Sequence, residues 1–350
     1  MQIRPPLLLA LLWLFLCLSI PDAWNQSRSP DAPPRYTITA IPDLPGCDHT
    51  CLTGINNRGK IVGYAYNGVG HDVGMLGRAF VWEKGKITPL RTPGGKYSHA
   101  IGINNQDEIV GDANLNRDTL PVLWQNGGKG DPVLLSRTNG YAACINDRGI
   151  LVGCEEGPYL WLKGNRTPLD FKKWKDHTYR PVTINHRGEI AGYVSGPPGI
   201  GLSDTPESSF FYQAGEFHTL ETLGGFACQA MAMNESGMIA GWAENAREER
   251  RACIWKEGVA QELPAPDVEW SEASGINNQG VIVGRYVTNK QEWKTCLWKN
   301  GKALNLNTCL PAHSGWELAE VMGINDSGQI IGSGYYKDKP RSFLLTPLSK

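Results

Sequence analysis

The sequence predicts an all-β fold, a seven-bladed β-propeller with four antiparallel strands per blade, on three observations. A motif, Ile-Asn-x-x-Gly-x-Ile-x-Gly, opens at Ile55-Asn56, Ile103-Asn104, Ile145-Asn146, Ile184-Asn185, Met233-Asn234, Ile276-Asn277 and Ile324-Asn325, at intervals of 39 to 49 residues. That period, built of short strands, is the period of propeller blades. Each motif is followed by an aromatic strand that ends in a Gly turn, as in Ala79-Phe80-Val81-Trp82-Glu83-Lys84-Gly85. The seventh repeat stops one strand short, whereas Tyr36-Thr37-Ile38-Thr39-Ala40-Ile41 has no motif before it.

From the N-terminus, residues 1–23 read as an export signal. Arg4 precedes a 14-residue apolar run, residues 7–20, which falls short of the ~20 residues a membrane span needs and suits a signal h-region. Cleavage is expected after Ser19 or Ala23. A retained anchor and a lipid on Cys17 are the alternatives, and no transmembrane segment is expected in the mature chain. Residues 24–35, rich in Pro and Ser, read as a linker, and residues 36–350 as the propeller.

Within each repeat a strand enters, turns at the motif Asn and returns. The Asn side chain caps a type I turn, and Gly takes the left-handed position. Asp107 replaces that Gly in the second repeat, and Asp tolerates the conformation. The alternating Asp pattern of a calcium loop is absent. The aromatic positions Trp82, Trp124, Trp161, Tyr212, Trp255 and Trp298 are expected to pack between blades. A fourth strand carries Leu90, Leu134, Leu169, Leu220, Leu263 or Leu304. The strand at Tyr36 is expected to complete the seventh blade, which leaves no unpaired edge.

These residues resemble the HAF repeat, a probable extracellular repeat of bacterial proteins. Arg78-Ala79-Phe80 loosely matches its His-Ala-Phe tripeptide. Trp82, Leu90, Gly94-Gly95 and residues 103–111 follow the rest of its pattern. The last repeat is closest, from Leu304 through Gly323-Ile324-Asn325 to Phe343-Leu344-Leu345-Thr346-Pro347. The middle repeats depart, with Pro158-Tyr159-Leu160 in place of the tripeptide and no Gly-Gly before Ile184. The resemblance covers residues 36–347. It implies a secreted or surface protein and supplies no catalytic residues.

Composition narrows the chemistry. The 350 residues carry a formal net charge of −1, and no basic face of the kind nucleic acid requires is visible. The chain has nine cysteines, eight of them after Cys17, and an even number in an exported chain permits disulfides. Cys253 and Cys296, at equivalent strand positions, read instead as buried filler. Cys47-Asp48-His49-Thr50-Cys51 could be metal-binding, with a disulfide or plain loop favoured. No H-E-x-x-H, nucleophile elbow or phosphate loop occurs. No metal, cofactor or catalytic residue is therefore expected.

Function is expected at the surface. The Asn-x-x-Gly and Trp-x-x-Gly turns hardly vary in length, and in an up-and-down blade they share one end of the ring. The length variation falls on the opposite face, which marks the binding side of a repeat scaffold. Candidate ligand-binding residues there are Trp174, His177, Trp270, Trp293 and Trp316. A second candidate is the channel rim, five residues before each motif Asn: Cys51, His99, Tyr141, Arg180, Gln229, Glu272 and Glu320. The charged run Arg247-Glu248-Glu249-Arg250-Arg251 reads as a solvated face with local charge pairing. The expected function is non-catalytic binding of a glycan, an envelope component or a protein. One alternative is a carbohydrate hydrolase using Glu272 and Glu320 as its two carboxylates. Another is a structural surface component.

Overall fold

The computed structural model describes residues 35–68, 77–169, 177–195 and 206–348. The expected signal, the linker as far as residue 34, and Trp174 lie outside the described residues. Seven four-stranded antiparallel sheets form the blades. Blades 1 to 6 span residues 49–89, 98–134, 141–168, 178–219, 224–262 and 268–305. Blade 7 takes residues 316–347, with Tyr36–Ile41 as its fourth strand. The first strands of successive blades touch one another all the way round and so surround the axis.

The predicted closure is present. Tyr36–Ile41 pairs antiparallel with Lys339–Pro347, from Tyr36 opposite Pro347 to Ile41 opposite Ser342. Ile41 and Leu44, which follow this strand inward, are essentially inaccessible to solvent. The ring thus has a non-covalent latch made from residues near the two ends of the described chain.

Blades are covered on both faces, so their middle strands are apolar on both. The strand Arg78–Glu83 buries Ala79, Phe80, Val81 and Trp82 in succession. The recurring aromatic joins one blade to the preceding one, as the sequence predicts. Trp124, Trp255 and Trp298 donate Nε1–H to the carbonyls of Arg91, Glu221 and Pro264, each at 2.7 Å. Each acceptor directly follows the fourth-strand leucine of the neighbouring blade.

The motif Asn makes two kinds of contact. Its Oδ1 accepts from backbone N–H groups two and four residues on, as in Asn277 with Gln279 and Val281 at 3.1 and 3.0 Å. That is the expected turn chemistry. Its Nδ2 donates across the seam to the carbonyl of the next motif Asn. The chain of bonds runs Asn56 to Asn104 to Asn146 to Asn185, and Asn234 to Asn277 to Asn325 to Asn56, at 2.8–3.2 Å. Among the described residues the one interruption is at Asn185, whose amide donates to Glu189. The residues after the motif Asn positions add a parallel series of contacts, for example Asn278 N–H to Asp326 Oδ1 at 2.9 Å and Asp326 N–H to Asn57 Oδ1 at 2.9 Å, which runs from His186 round to Asp147.

A buried ion pair locks blades 1 and 2. Asp107, at φ 65°, accepts from Lys60 Nζ at 2.9 Å, Asn56 Nδ2 at 2.9 Å and Arg58 Nη1 at 3.0 Å. Burial alone would raise the Asp107 carboxyl. Hydrogen bonds from Lys60 and Asn56, and the charges of Lys60 and Arg58, outweigh it and hold the group below its ordinary value. The linked stability is therefore complete above the unfolded carboxylate's pKa and is lost as pH falls through the lower folded value. Asp107→Asn is expected to cost about 2 kcal/mol at pH 7, because it leaves the buried Lys60 with only the exposed Glu83, 3.7 Å away, as counter-charge. Urea unfolding at pH 7 and near pH 3 should show the gap between variant and parent close in acid.

The disulfides that the cysteine count permitted are absent. All eight cysteines among the described residues are free thiols, six of them buried. The buried ones are spread over several cores: Cys309 packs in the cluster of blades 6 and 7, Cys144 in that of blades 3 and 4, and Cys228 and Cys253 share that of blades 4 and 5. Cys253 and Cys296 are both fully buried, as filler should be. Cys47 accepts from Arg78 Nη2 at 3.1 Å, whereas Cys51 lies beside Tyr64 and Tyr66. The two thiols of that short segment thus serve different neighbours.

Candidate functional site

The variable end of blades 5 to 7 carries the most distinctive surface. Trp270 is the third residue of the first strand of blade 6, Val268–Ile276, and Trp293 begins its third strand; both stand opposite Val287 of the second. That shared register puts the two indoles on one face of the sheet. Their rings meet edge to face with centroids 5.5 Å apart. Arg285, two residues from Val287 and so on the same face, lies 5.4 Å from the Trp270 ring and 5.0 Å from that of Trp293. Arg250 of blade 5 stacks 3.7 Å over Trp242 and reaches within 5.3 Å of Trp270. Guanidinium groups on indole faces are held by cation–π attraction.

Trp316 is placed differently. It stands opposite Tyr336 in register and packs on Tyr336 and Phe343 at 5.3 and 5.9 Å. It therefore belongs half-buried to blade 7, apart from the blade 6 pair. His177 is half-buried just before the first strand of blade 4.

The rim register lies on the first strands, and its members take partners from the second strands. His99 Nδ1 is 2.9 Å from Asp112. Gln229 Oε1 accepts from Trp242 Nε1 at 3.0 Å. Tyr141 lies beside Cys154 and beside Arg180 of the next blade. Burial raises the phenol of Tyr141, and raises that of Tyr64, beside Cys51, to about 12. Arg285 stands between the two carboxylates of the hydrolase alternative, with Nε 2.7 Å from Glu272 and Nη1 3.4 Å from Glu320. Arg250 adds a second cation 3.6 Å from Glu272.

Sequence reasoning missed several members of this surface. Among the described residues the exposed large aromatics are Phe226 (81%), Trp293 (56%), Tyr335 (48%) and Tyr336 (36%). All four lie at the variable end, on blades 5, 6 and 7 in turn. Only Trp293 was a candidate. Phe226 follows Gly224-Gly225 where a first strand begins, and the tyrosines precede the hairpin at Lys337 and Asp338. Those positions, rather than residue type, were the available signal. The charged run pairs locally as expected, with Arg247 and Arg251 both on Glu249, but it is not a wholly solvated face. Arg251 is 5% exposed and donates to the Glu269 carbonyl at 2.7 Å, and Arg250 is the guanidinium on Trp242. Only part of that run faces solvent, because strand alternation turns Arg250 toward the rings and Arg251 into the seam with blade 6.

The sequence matches no protein-family model and no curated protein. Solved structures do match in fold. The β-propeller domain of the Trilobed protease from Pyrococcus furiosus, described as having an open velcro topology, superposes with a TM-score of 0.55 at 10% identity, over 86% of this chain and 98% of that one. YCF48 bound to a D1 peptide gives 0.56 at 10% identity, over 91% and 98%. A chain of the Mitotic Checkpoint Complex gives 0.53 at 12% identity, over 98% and 100%. At such identities the likeness is one of architecture, and by it this chain is a β-propeller.

Proposed function

We propose that this chain is a non-catalytic binding propeller that docks a protein partner on the variable face of blades 5 to 7. The observation that carries the reading is the clustering of every exposed aromatic of the described residues at that end, beside two guanidinium groups. Trp, Tyr and Arg are the residues that dominate protein-interface energetics. A cavity at the same end, between blades 7 and 1, measures about 220 Å³, smaller than the ~300–1,000 Å³ usual for a small-ligand pocket. A cavity of about 660 Å³ is lined by Trp316 and the connection from blade 6 to blade 7, but none of Phe226, Trp293, Tyr335 and Tyr336 lines it. Flat aromatic relief of their kind suits a macromolecular surface. The position of Arg285 between Glu272 and Glu320 favours binding over hydrolysis, since each carboxylate already serves a cation.

In the same reading residues 1–23 direct export, the chain is an HAF-type repeat protein, and the partner belongs to the cell envelope or surroundings. Mass analysis of exported protein should find a chain that begins near residue 20 or 24. For the docking face, a Phe226→Ala/Trp293→Ala variant should bind the partner captured from envelope extracts at least tenfold more weakly. Both side chains are exposed, so its melting temperature should stay close to the parent's. Undiminished capture by a folded variant would move the site elsewhere. Binding to a glycan array, lost in the variant, would replace the protein partner by a carbohydrate.

A further inference from the structure

Trp316, which the sequence offers as a ligand-binding residue, stands outside the docking face and lines a cavity of its own. The connection from blade 6 to blade 7, residues 306–315, is the longest of the links between blades. It opens with the short 3₁₀ helix Leu306–Cys309. Between this connection and the latch, at Arg35, Tyr36 and Leu348, lies a cavity of about 660 Å³. Leu310, Trp316 and Leu348 supply apolar wall, and the first two pack on the core shared by blades 6 and 7. The charged lining is one-sided. Arg35 and His313 belong to it, and no aspartate or glutamate does. Arg35 is tied down by its backbone, whose carbonyl accepts from Leu348 N–H at 2.8 Å, and its guanidinium has no partner among the described residues.

Two further donors line the same space. Tyr36 is only 3% exposed, yet its phenol makes no hydrogen bond among the described residues. Burial, and after it the neighbouring Cys309 thiol, push that phenol up to about 12, so it keeps its proton. The indole N–H of the half-buried Trp316 is also without an acceptor among the described residues, whereas Trp124, Trp255 and Trp298 each give theirs to a carbonyl. Polar groups this far buried normally have a partner.

We propose that this cavity binds an organic carboxylate with an apolar body, the anion meeting Arg35 and the Tyr36 phenol and the body lying against Trp316, Leu310 and Leu348. An ionised carboxylate only accepts hydrogen bonds, which suits a lining of donors, and a guanidinium holds it through two parallel N–H bonds. One permanent cation matches its single charge better than the double charge of a phosphate. The volume is ordinary for a small-ligand site. The chemistry is shared by aromatic and by alkyl acids.

The test is calorimetric titration of the whole chain with 4-phenylbutanoate and with hexanoate, each compared with its uncharged primary amide. At least one acid should bind at least tenfold more tightly than its amide. Arg35→Gln should weaken that acid at least tenfold, and Tyr36→Phe, which keeps the ring, at least threefold. The Arg35 side chain is exposed, so the melting temperature of its variant should stay close to the parent's. Should Tyr36→Phe fail to fold, Arg35→Gln decides alone. Tighter binding of 4-phenylbutanoate assigns an aromatic acid, and tighter binding of hexanoate an alkyl one. Equal binding of acid and amide, undiminished binding by a folded variant, or no heat with either acid at millimolar concentration would overturn the proposal.

Discussion

A chain shortened to begin at residue 45 is expected to lose most of its stability. The deletion removes the whole strand Tyr36–Ile41 and with it the six-residue ladder to Lys339–Pro347. It also removes Tyr36, Ile41 and Leu44, all at most 3% exposed, each contributing about 1.5–3 kcal/mol of burial. A loss of roughly 5 kcal/mol or more is comparable to the whole stability of many domains. Thermal melting followed by circular dichroism should show a transition lowered by ten degrees or more, or none. A synthetic peptide of residues 35–44 should restore part of it. An unchanged transition would mean that the ring holds without its latch. The latch also joins residues from opposite ends of the sequence, so its formation carries a large loop-closure cost and should be a late event in folding.

Asn277→Ala is expected to cost about 3 kcal/mol, far more than a turn residue usually does. The side chain is 3% exposed. Its removal leaves the N–H groups of Gln279 and Val281 without their acceptor, and each unsatisfied buried group costs about 1–3 kcal/mol; the Asn325 carbonyl loses one of two donors and keeps the N–H of Gly328. Asn278→Ala, one residue on and exposed, loses contacts to Glu235 and Asp326 and should cost under about 1 kcal/mol. Urea denaturation of both variants measures the difference. Equal losses would show that the amide bond across the seam contributes nothing beyond the turn.

That pair of residues also shows what the sequence can disclose. The Asn-x-x-Gly spacing reveals a turn because turn chemistry is local. The same Asn repeats every 39 to 49 residues because its amide also needs the next Asn, and nothing local distinguishes one role from two. The blades, their strand count and the closing strand were legible because periodicity and alternation reflect burial directly. The docking face was legible as an end of the ring, through loop variation, but hardly as residues. Trp270 and Trp293 share a face only because both stand opposite Val287, a consequence of register across two hairpins. Trp316 carries the same residue type at a strand start, yet Tyr336 opposite it draws it into blade 7. Disulfides were suggested by an even count, which records nothing of which core each thiol enters.

The latch has a further consequence for presentation. Tyr36 and Pro347 pair at the end of the ring that carries the Asn turns, and the N–H of Leu348 donates to the carbonyl of Arg35 at 2.8 Å. Both ends of the propeller therefore emerge side by side on its underside, away from Phe226, Trp293 and the tyrosines. A tag, tether or immobilising support joined at either end holds the ring like a dish on a stem, with the aromatic face turned outward. Their adjacency also makes the chain a natural substrate for circular permutation, with new ends opened in a hairpin of the variable face and the old ones joined by a short linker.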